Sequence, residues 1–284
     1  MKVAVAGGTG VLGRRVVVRL REAGHAPSVL AHARTTGLSP AEVVAGDLLQ
    51  PATLPRWLGG CDAALHLATA LRPDAQGVVD WAANDRVRSV GSANLVQACA
   101  HAGVRRLVVQ SVAFLDGGSR WLDGTEALAD RPFLQSARAM EALVLDAAAH
   151  DVLVLRGGLF YGPGTATGAG WEAAARARRW PLPANADDHV SLVHVDDMAA
   201  AVCAAAGGAG GRGVLSVVDD RPVRWRELVA GLSAMAGGVV DPAPALPLPS
   251  FRVSNRLARE RLDWAPRYPT WTDGIRSEPW LQAR

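Results

Sequence analysis

Lysine is nearly missing from this 284-residue chain: Lys2 stands alone among 30 basic side chains, so the other 29 are arginine. Tyrosine is almost as scarce, with Tyr161 and Tyr268 only, and Ile275 is the single isoleucine. Counting therefore excludes any chemistry that needs a tyrosine and a lysine one helical turn apart. The three cysteines, Cys61, Cys99 and Cys203, are odd in number and widely spaced, which excludes a disulfide framework and predicts reduced thiols in a cytoplasmic protein. Apolar runs are interrupted by glycine, arginine or aspartate before they reach membrane-spanning length, so no transmembrane helix is expected. The stretch from Met1 to Gly10 reads as a short buried strand running into glycines, not as a signal peptide. A net charge of only +3, with scattered arginines behind the pI of about 9.1, gives no footprint for nucleic acid. Arginine in place of lysine, beside abundant alanine, valine and leucine, is the mark of a GC-rich coding sequence.

What is present is globular: 49% apolar residues with 20% charged. Short apolar runs at Lys2–Ala6, Pro27–Ala31, Val43–Ala45, Ala63–Leu67, Arg106–Gln110 and Val152–Arg156 read as strands. Helical spacing at Leu12–Ala23, Val87–Ala102 and Ser136–Ala149 alternates with them. Continuous apolar strands alternating with helices predict an α/β fold, a Rossmann-type doubly wound parallel sheet covered on both faces. Gly207–Gly213 reads as a surface loop and Asp241–Pro249 as a connection.

The first strand runs into Gly7-Gly8-Thr9-Gly10-Val11-Leu12-Gly13 and then a helix. Glycines at 7, 10 and 13 suit a tight turn and let a pyrophosphate approach bare backbone at a helix N-terminus, where free N–H groups and the dipole favour an anion. Between Glu22 and Glu42 there is no acid to hold a ribose 2′-hydroxyl, while Arg14, His32 and Arg34 are suited to a 2′-phosphate. The expected cofactor is NADP(H) in preference to NAD(H).

Several motifs in order resemble the extended and atypical short-chain dehydrogenase/reductases, the epimerase/dehydratase-like branch. Asp47-Leu48 resembles the pair at the adenine, and His66-Leu67-Ala68, followed by Thr69, the segment beside the cofactor. Asn84 with Gly91-Ser92-Ala93-Asn94-Leu95 resembles the N-x-x-G-T-x-N-L helix. Leu155-Arg156 through Tyr161-Gly162-Pro163-Gly164 resembles the stretch passing the nicotinamide, here Gly157, Gly158 and Leu159. Val193-His194-Val195-Asp196-Asp197-Met198-Ala199 resembles V-H-V-D-D-V-A. The resemblance implies a dinucleotide lobe over 1–156, to which 191–220 returns, and a substrate lobe from 157–190 and 221–284.

Two departures govern the chemistry. The relatives' Y-x-x-S-K-x-x-x-E helix is matched by Phe133-Leu134-Gln135-Ser136-Ala137-Arg138-Ala139-Met140-Glu141, with phenylalanine and alanine where tyrosine and lysine act. At the end of the fifth strand Ser111 is kept, but the catalytic hydroxyl position falls on Val112 or Ala113. Ser111 and Ser136 remain as catalytic candidates, supported by Thr69, Gln110 and the backbone amides of Gly157–Leu159 as donors to a developing negative charge. His194, Asp196 and Asp197 are not read as a metal site: an aspartate before an apolar helical run reads as an N-cap, and no metal is expected. Nine tryptophans against four phenylalanines are unusual, and Trp121, Trp171 and Trp180 are placed by the resemblance at the substrate cleft.

These readings imply an NADPH-dependent ketoreductase of secondary metabolism acting on a small-molecule aromatic substrate, a polyketide of the angucyclinone kind, by analogy with tyrosine-less tailoring ketoreductases. A redox-silent NADP-binding sensor and a non-redox isomerase or cyclase are the alternatives. No nucleic acid or membrane partner is expected, and monomer and homodimer both stay open.

Overall fold

The computed structural model describes residues 1–31, 42–71, 78–147 and 150–282. Seven strands, β1 (Lys2–Ala6), β2 (Ala26–Ala31), β3 (Val43–Ala45), β4 (Ala63–His66), β5 (Arg106–Val112), β6 (Asp151–Gly157) and β7 (Gly213–Val217), form one sheet. Its order is β3-β2-β1-β4-β5-β6-β7 and every pairing is parallel. The expected doubly wound sheet is what the chain forms. β7 is the strand that periodicity did not pick out, because Gly213–Val217 follows directly on the glycines that read as loop.

Alternation along each strand builds the two faces. Val3 and Val5 of β1, Val108 of β5, and Leu153 and Leu155 of β6 enter one buried cluster. Ala4 and Ala6, Leu107 and Val109, and Val152 and Val154 enter the other. The first face is covered by helices Val11–Glu22 and Val195–Ala206, the second by Leu54–Leu58, Ser92–Ala102 and Gln135–Asp146. Each fully buried valine or leucine contributes roughly 1.5–3 kcal/mol, so register is strongly fixed.

A third cluster lies beyond the carboxyl ends of the strands, around Tyr161, Trp180, Val190, Trp225, Leu228 and Phe251. It is framed by two-stranded pairs, among them Leu159–Tyr161 with Leu192–His194 and Arg179–Pro183 with Val239–Ala243. Packing crosses the expected lobe boundaries in both directions. Leu115, Leu122 and Leu128 join this third cluster, while Ala258, Leu262 and Trp264 pack on the sheet.

The 87–102 segment is not one helix. Helix Trp81–Arg86, capped by Asp80, passes into one turn of π-helix, Val87–Gly91, before helix Ser92–Ala102. Among the described residues no helix is long and apolar enough to cross a membrane.

Candidate active site

The strand order reverses between β1 and β4, the place where parallel sheets of this kind open a crevice at their carboxyl ends. The glycine loop lies there. Gly7 has φ +85°, and a Cβ on it would fall 2.6 Å from the Ala68 nitrogen, so the loop presses against the chain leaving β4. A Cβ on Gly13 would fall 2.0 Å from the Gly7 oxygen, whereas one on Gly10 would meet only that oxygen, at 3.3 Å. Gly7 and Gly13 are therefore demanded by the protein's own packing, and Gly10 leaves an open approach.

Gly10 is the N-cap of helix Val11–Glu22, with no side-chain cap and no acid in the first turn. Amides at that turn remain available to an anion. The loop, with Thr9, Val11 and Leu12 around it, fits the pyrophosphate of a dinucleotide. Arg14 is held beside it, its Nε donating to the Thr9 oxygen at 2.9 Å. His32 and Arg34 lie outside the described residues.

At the end of β3, Asp47 Oδ1 accepts from the Leu49 amide at 2.8 Å, and the Leu48 oxygen accepts from Asn94 Nδ2 at 2.8 Å. These bonds fix the turn expected at the adenine. Beyond β4, Leu67 is buried, Ala68 half-buried and Thr69 exposed. The Ala70 amide donates to Asn84 Oδ1 at 3.2 Å, tying this segment to helix Trp81–Arg86.

Ser136 and Ser111 differ. Ser136, on the first turn of helix Gln135–Asp146, accepts from Arg88 Nη1 at 3.3 Å. Ser111 is 1% exposed and its Oγ has no partner. Gln110 Nε2 is turned onto the Ser111 carbonyl. Ala137 is fully buried in the apolar cluster of the second lobe, and Phe133 lies half-buried in the short 3-10 turn Pro132–Leu134.

Three expectations need correction. The amides of Gly158 and Leu159 cannot serve a developing charge, because they donate to the Val217 and Ser191 oxygens at 3.1 and 2.9 Å. Gly157 and Gly158 are there for close packing: a Cβ on either would strike the Phe160 ring or the Ser191 oxygen. Trp180 is not a cleft wall. It is 1% exposed, and its Nε1 donates to the Gly237 oxygen at 2.9 Å inside the apolar cluster.

Trp171 packs on the Tyr161 ring at 5.6 Å between centroids. Trp121 is half exposed beneath the Arg252 guanidinium, whose carbon lies 4.7 Å from the ring centroid. His194, and not an aspartate, is the N-cap: Nδ1 accepts from the Asp196 amide and Nε2 meets Ser277 Oγ at 3.0 Å. Burial pushes its pKa down to about 4. No metal-binding group of side chains occurs among the described residues.

The sequence motifs included His66 and Asn84 without giving their side chains a role, and they did not point to Arg88. His66 is 2% exposed at the end of β4, its ring making no well-aligned hydrogen bond among the described residues beyond a loose approach to the Val87 backbone, and desolvation pushes its pKa down to about 4. Asn84 is fully buried and its Nδ2 has no acceptor. Arg88, 8% exposed, sits in the π-turn. No periodicity marks a cation turned inward by a local change of helix type.

The NAD dependent epimerase/dehydratase family matches residues 3–213. A 3-diazoavenalumate denitrifying reductase of Streptomyces sp is 34% identical over 98% of this chain and 100% of its own length. A ceramide reductase of Caulobacter vibrioides is 28% identical, covering 97% and 89%. Among solved structures, Pal from Bacillus thuringiensis superposes with a TM-score of 0.84 at 21% identity, covering 100% and 99% of the two chains. The dTDP-glucose 4,6-dehydratase DesIV of Streptomyces venezuelae, solved with NAD and TYD bound, gives 0.81 at 21% identity, covering 100% and 98%.

Proposed function

The chain belongs to the NAD-dependent epimerase/dehydratase family, and we propose that it is a reductase passing a hydride from reduced nicotinamide to an aromatic acceptor that needs no proton from a protein tyrosine. The observation that carries this is the helix at 133–141, where Phe133 and buried Ala137 stand in place of a proton donor and its cation. When bound, the cofactor supplies the hydride. The glycine loop and the uncapped turn at Val11 hold its phosphates, and Asp47 and Leu48 border its adenine. Arg14, with no acid between Glu22 and Glu42, favours NADPH over NADH.

An aryl diazo group is the acceptor that best suits this equipment, and a diazo compound is what the name of the Streptomyces relative specifies. In an aryl diazonium the ring carbon gains the hydride, forming a C–H bond, while the C–N bond breaks and its electron pair leaves with dinitrogen. Charge balances without any proton. A ketone, by contrast, becomes an alkoxide that must be protonated, and weakly acidic hydroxyls, Ser111 and Ser136 with Thr69 in support, are what the sequence offers for that task.

The experiment offers NADPH with a panel of ortho-hydroxyaryl diazonium salts and aromatic polyketide ketones, following reduced-nicotinamide absorbance and dinitrogen release. Deuteride from labelled NADPH on the aromatic ring supports the diazo reading. Turnover of ketones alone restores the ketoreductase expectation, and tight NADPH binding with no turnover of either overturns a reductase.

A further inference from the structure

Arg88 is a buried cation that makes no contact ion pair among the described residues; the Asp85 and Glu141 carboxylates act on it only at longer range. Its guanidinium has five N–H donors, and among the described residues it forms one hydrogen bond, to Ser136 Oγ at 3.3 Å. Glu141 is the buried carboxylate of the neighbouring helix, but both of its oxygens are taken by Arg156, at 3.0 and 2.7 Å. Asp85, one turn before, is exposed and attracts Arg88 across solvent without a contact ion pair among the described residues. Burying a charge so poorly matched costs several kcal/mol unless a partner arrives.

The surroundings are unsatisfied in the same way. Among the described residues, Ser111 Oγ at the end of β5 and Asn84 Nδ2 lack partners, and the His66 ring at the end of β4 makes no well-aligned hydrogen bond, only a loose approach to the Val87 backbone. His66 and Arg88 sense each other electrostatically, and Asn84 is bonded to the chain leaving β4. These orphaned groups therefore gather on the carboxyl edge of β4 and β5, beside the glycine loop that Ala68 contacts. A buried fork of donors with a hydroxyl next to it matches a planar or compact oxygen anion. Native folds rarely leave so many buried polar atoms idle without a ligand in view.

We propose that Arg88, with Ser136 beside it, is the substrate's anion receptor: it binds an oxygen anion carried by the aromatic acceptor, a carboxylate or a ring phenolate, and so sets the ring against the nicotinamide. This deepens the reductase reading and rests on it for the identity of the ring. The π-turn is what faces Arg88 inward, since a turn with one residue more than the α-helix changes which side chains share a face.

Three probes separate the two anion sources: 4-methoxycinnamate carries only a carboxylate, methyl 4-hydroxycinnamate only a phenol, and methyl 4-methoxycinnamate neither. Calorimetric titration of the NADP⁺-saturated protein is expected to show at least one of the first two binding about tenfold or more tighter than the third, as one charge-assisted hydrogen bond warrants. Arg88→Met should erase that preference, Arg88→Lys should keep part of it, and added methylguanidine should restore it to Arg88→Gly.

Equal binding of all three probes by the wild-type protein, or binding of none, overturns the proposal without recourse to any variant. So does a folded Arg88→Met that keeps the preference. If NADPH turnover fails while the anion preference and its loss in Arg88→Met hold, the reductase reading falls and the receptor stands. If hydride transfer proceeds but anion and neutral probes bind alike, the receptor falls alone.

Discussion

Arg156 and Glu141 form a two-bond ion pair, Nε to Oε1 at 3.0 Å and Nη2 to Oε2 at 2.7 Å, with both side chains less than a tenth exposed. Arg156 extends the link through Nη1 to the oxygens of Gly124 and Glu126. One guanidinium thus joins β6, helix Gln135–Asp146 and the loop before it. Removing one partner leaves the other charge buried, so Glu141→Leu is expected to cost about 3–5 kcal/mol in urea unfolding. Arg156→Met with Glu141→Leu should cost less than either single change, and a simple sum of the two would show that the charges are not coupled.

The loop glycines should separate by mechanism. Gly13→Ala would place a methyl 2.0 Å from the Gly7 oxygen and is expected to lower the melting temperature and abolish dinucleotide binding together. Gly10→Ala meets only one atom, at 3.3 Å, and should melt close to wild type while binding NADPH at least several-fold more weakly. Fluorescence titration beside thermal melting reads both.

Burial of neutral His66 makes stability depend on pH. Its native pKa of about 4 lies below the ordinary value of 6.5, so the unfolded chain takes up a proton that the native state refuses. The contribution is complete above about pH 6.5 and is lost as pH falls toward 4; between about pH 7 and pH 5 it amounts to about 2 kcal/mol. Asp197, Asp219 and Glu278, raised by burial, act with the opposite sign. The measurement is accordingly a difference: urea unfolding at the two pH values should show a smaller acid loss in His66→Leu than in wild type, by about that amount.

Tryptophan substitutions test which rings are structural. Trp180→Ala is expected to cost about 3–5 kcal/mol, since it empties a closed apolar site and frees the Gly237 oxygen. Trp121→Ala, half exposed under Arg252, should cost about 1 kcal/mol or less and change aromatic ligand affinity if that ring borders the cleft. Chemical denaturation of the two variants, with a ligand titration of the second, distinguishes them.

Restoring the missing dyad should fail. Ala137 is sealed within an apolar cluster, so Ala137→Lys would bury an ammonium, and the double variant Phe133→Tyr/Ala137→Lys is expected to lose several kcal/mol of stability without gaining ketone reduction. NADPH oxidation with a ketone, measured on a variant shown to be folded, checks this.

Legibility followed period and context. Strands β1, β2, β4, β5 and β6 were readable because both faces are buried and their apolar runs are continuous, the edge strand β3 from its short valine run alone, and the loop at Gly7–Gly13 because glycine has a steric reason at each end. The helix start after Val193 was readable from local sequence, but its cap is His194 and not the aspartate that the pattern suggested. The amides of Gly158 and Leu159 were misread because a sequence does not say which carbonyls a returning strand will bring, here those of Val217 and Ser191. Trp180 was misread because ring size signals burial and binding alike. Arg88 went unseen since its direction depends on a helix type that no residue pattern announces.

The π-turn at Val87–Gly91 also bears on how such a site changes hands over time. Its effect is rotational: helix Ser92–Ala102 keeps its grip on the sheet through Leu95 and Cys99, while the residues before it are turned relative to that anchor. Gain or loss of a single codon in this stretch would swing a different side chain toward the carboxyl edge of the strands and leave the scaffold unmoved. New chemistry on this scaffold is thus reachable by an indel, a route that position-by-position comparison of residues overlooks.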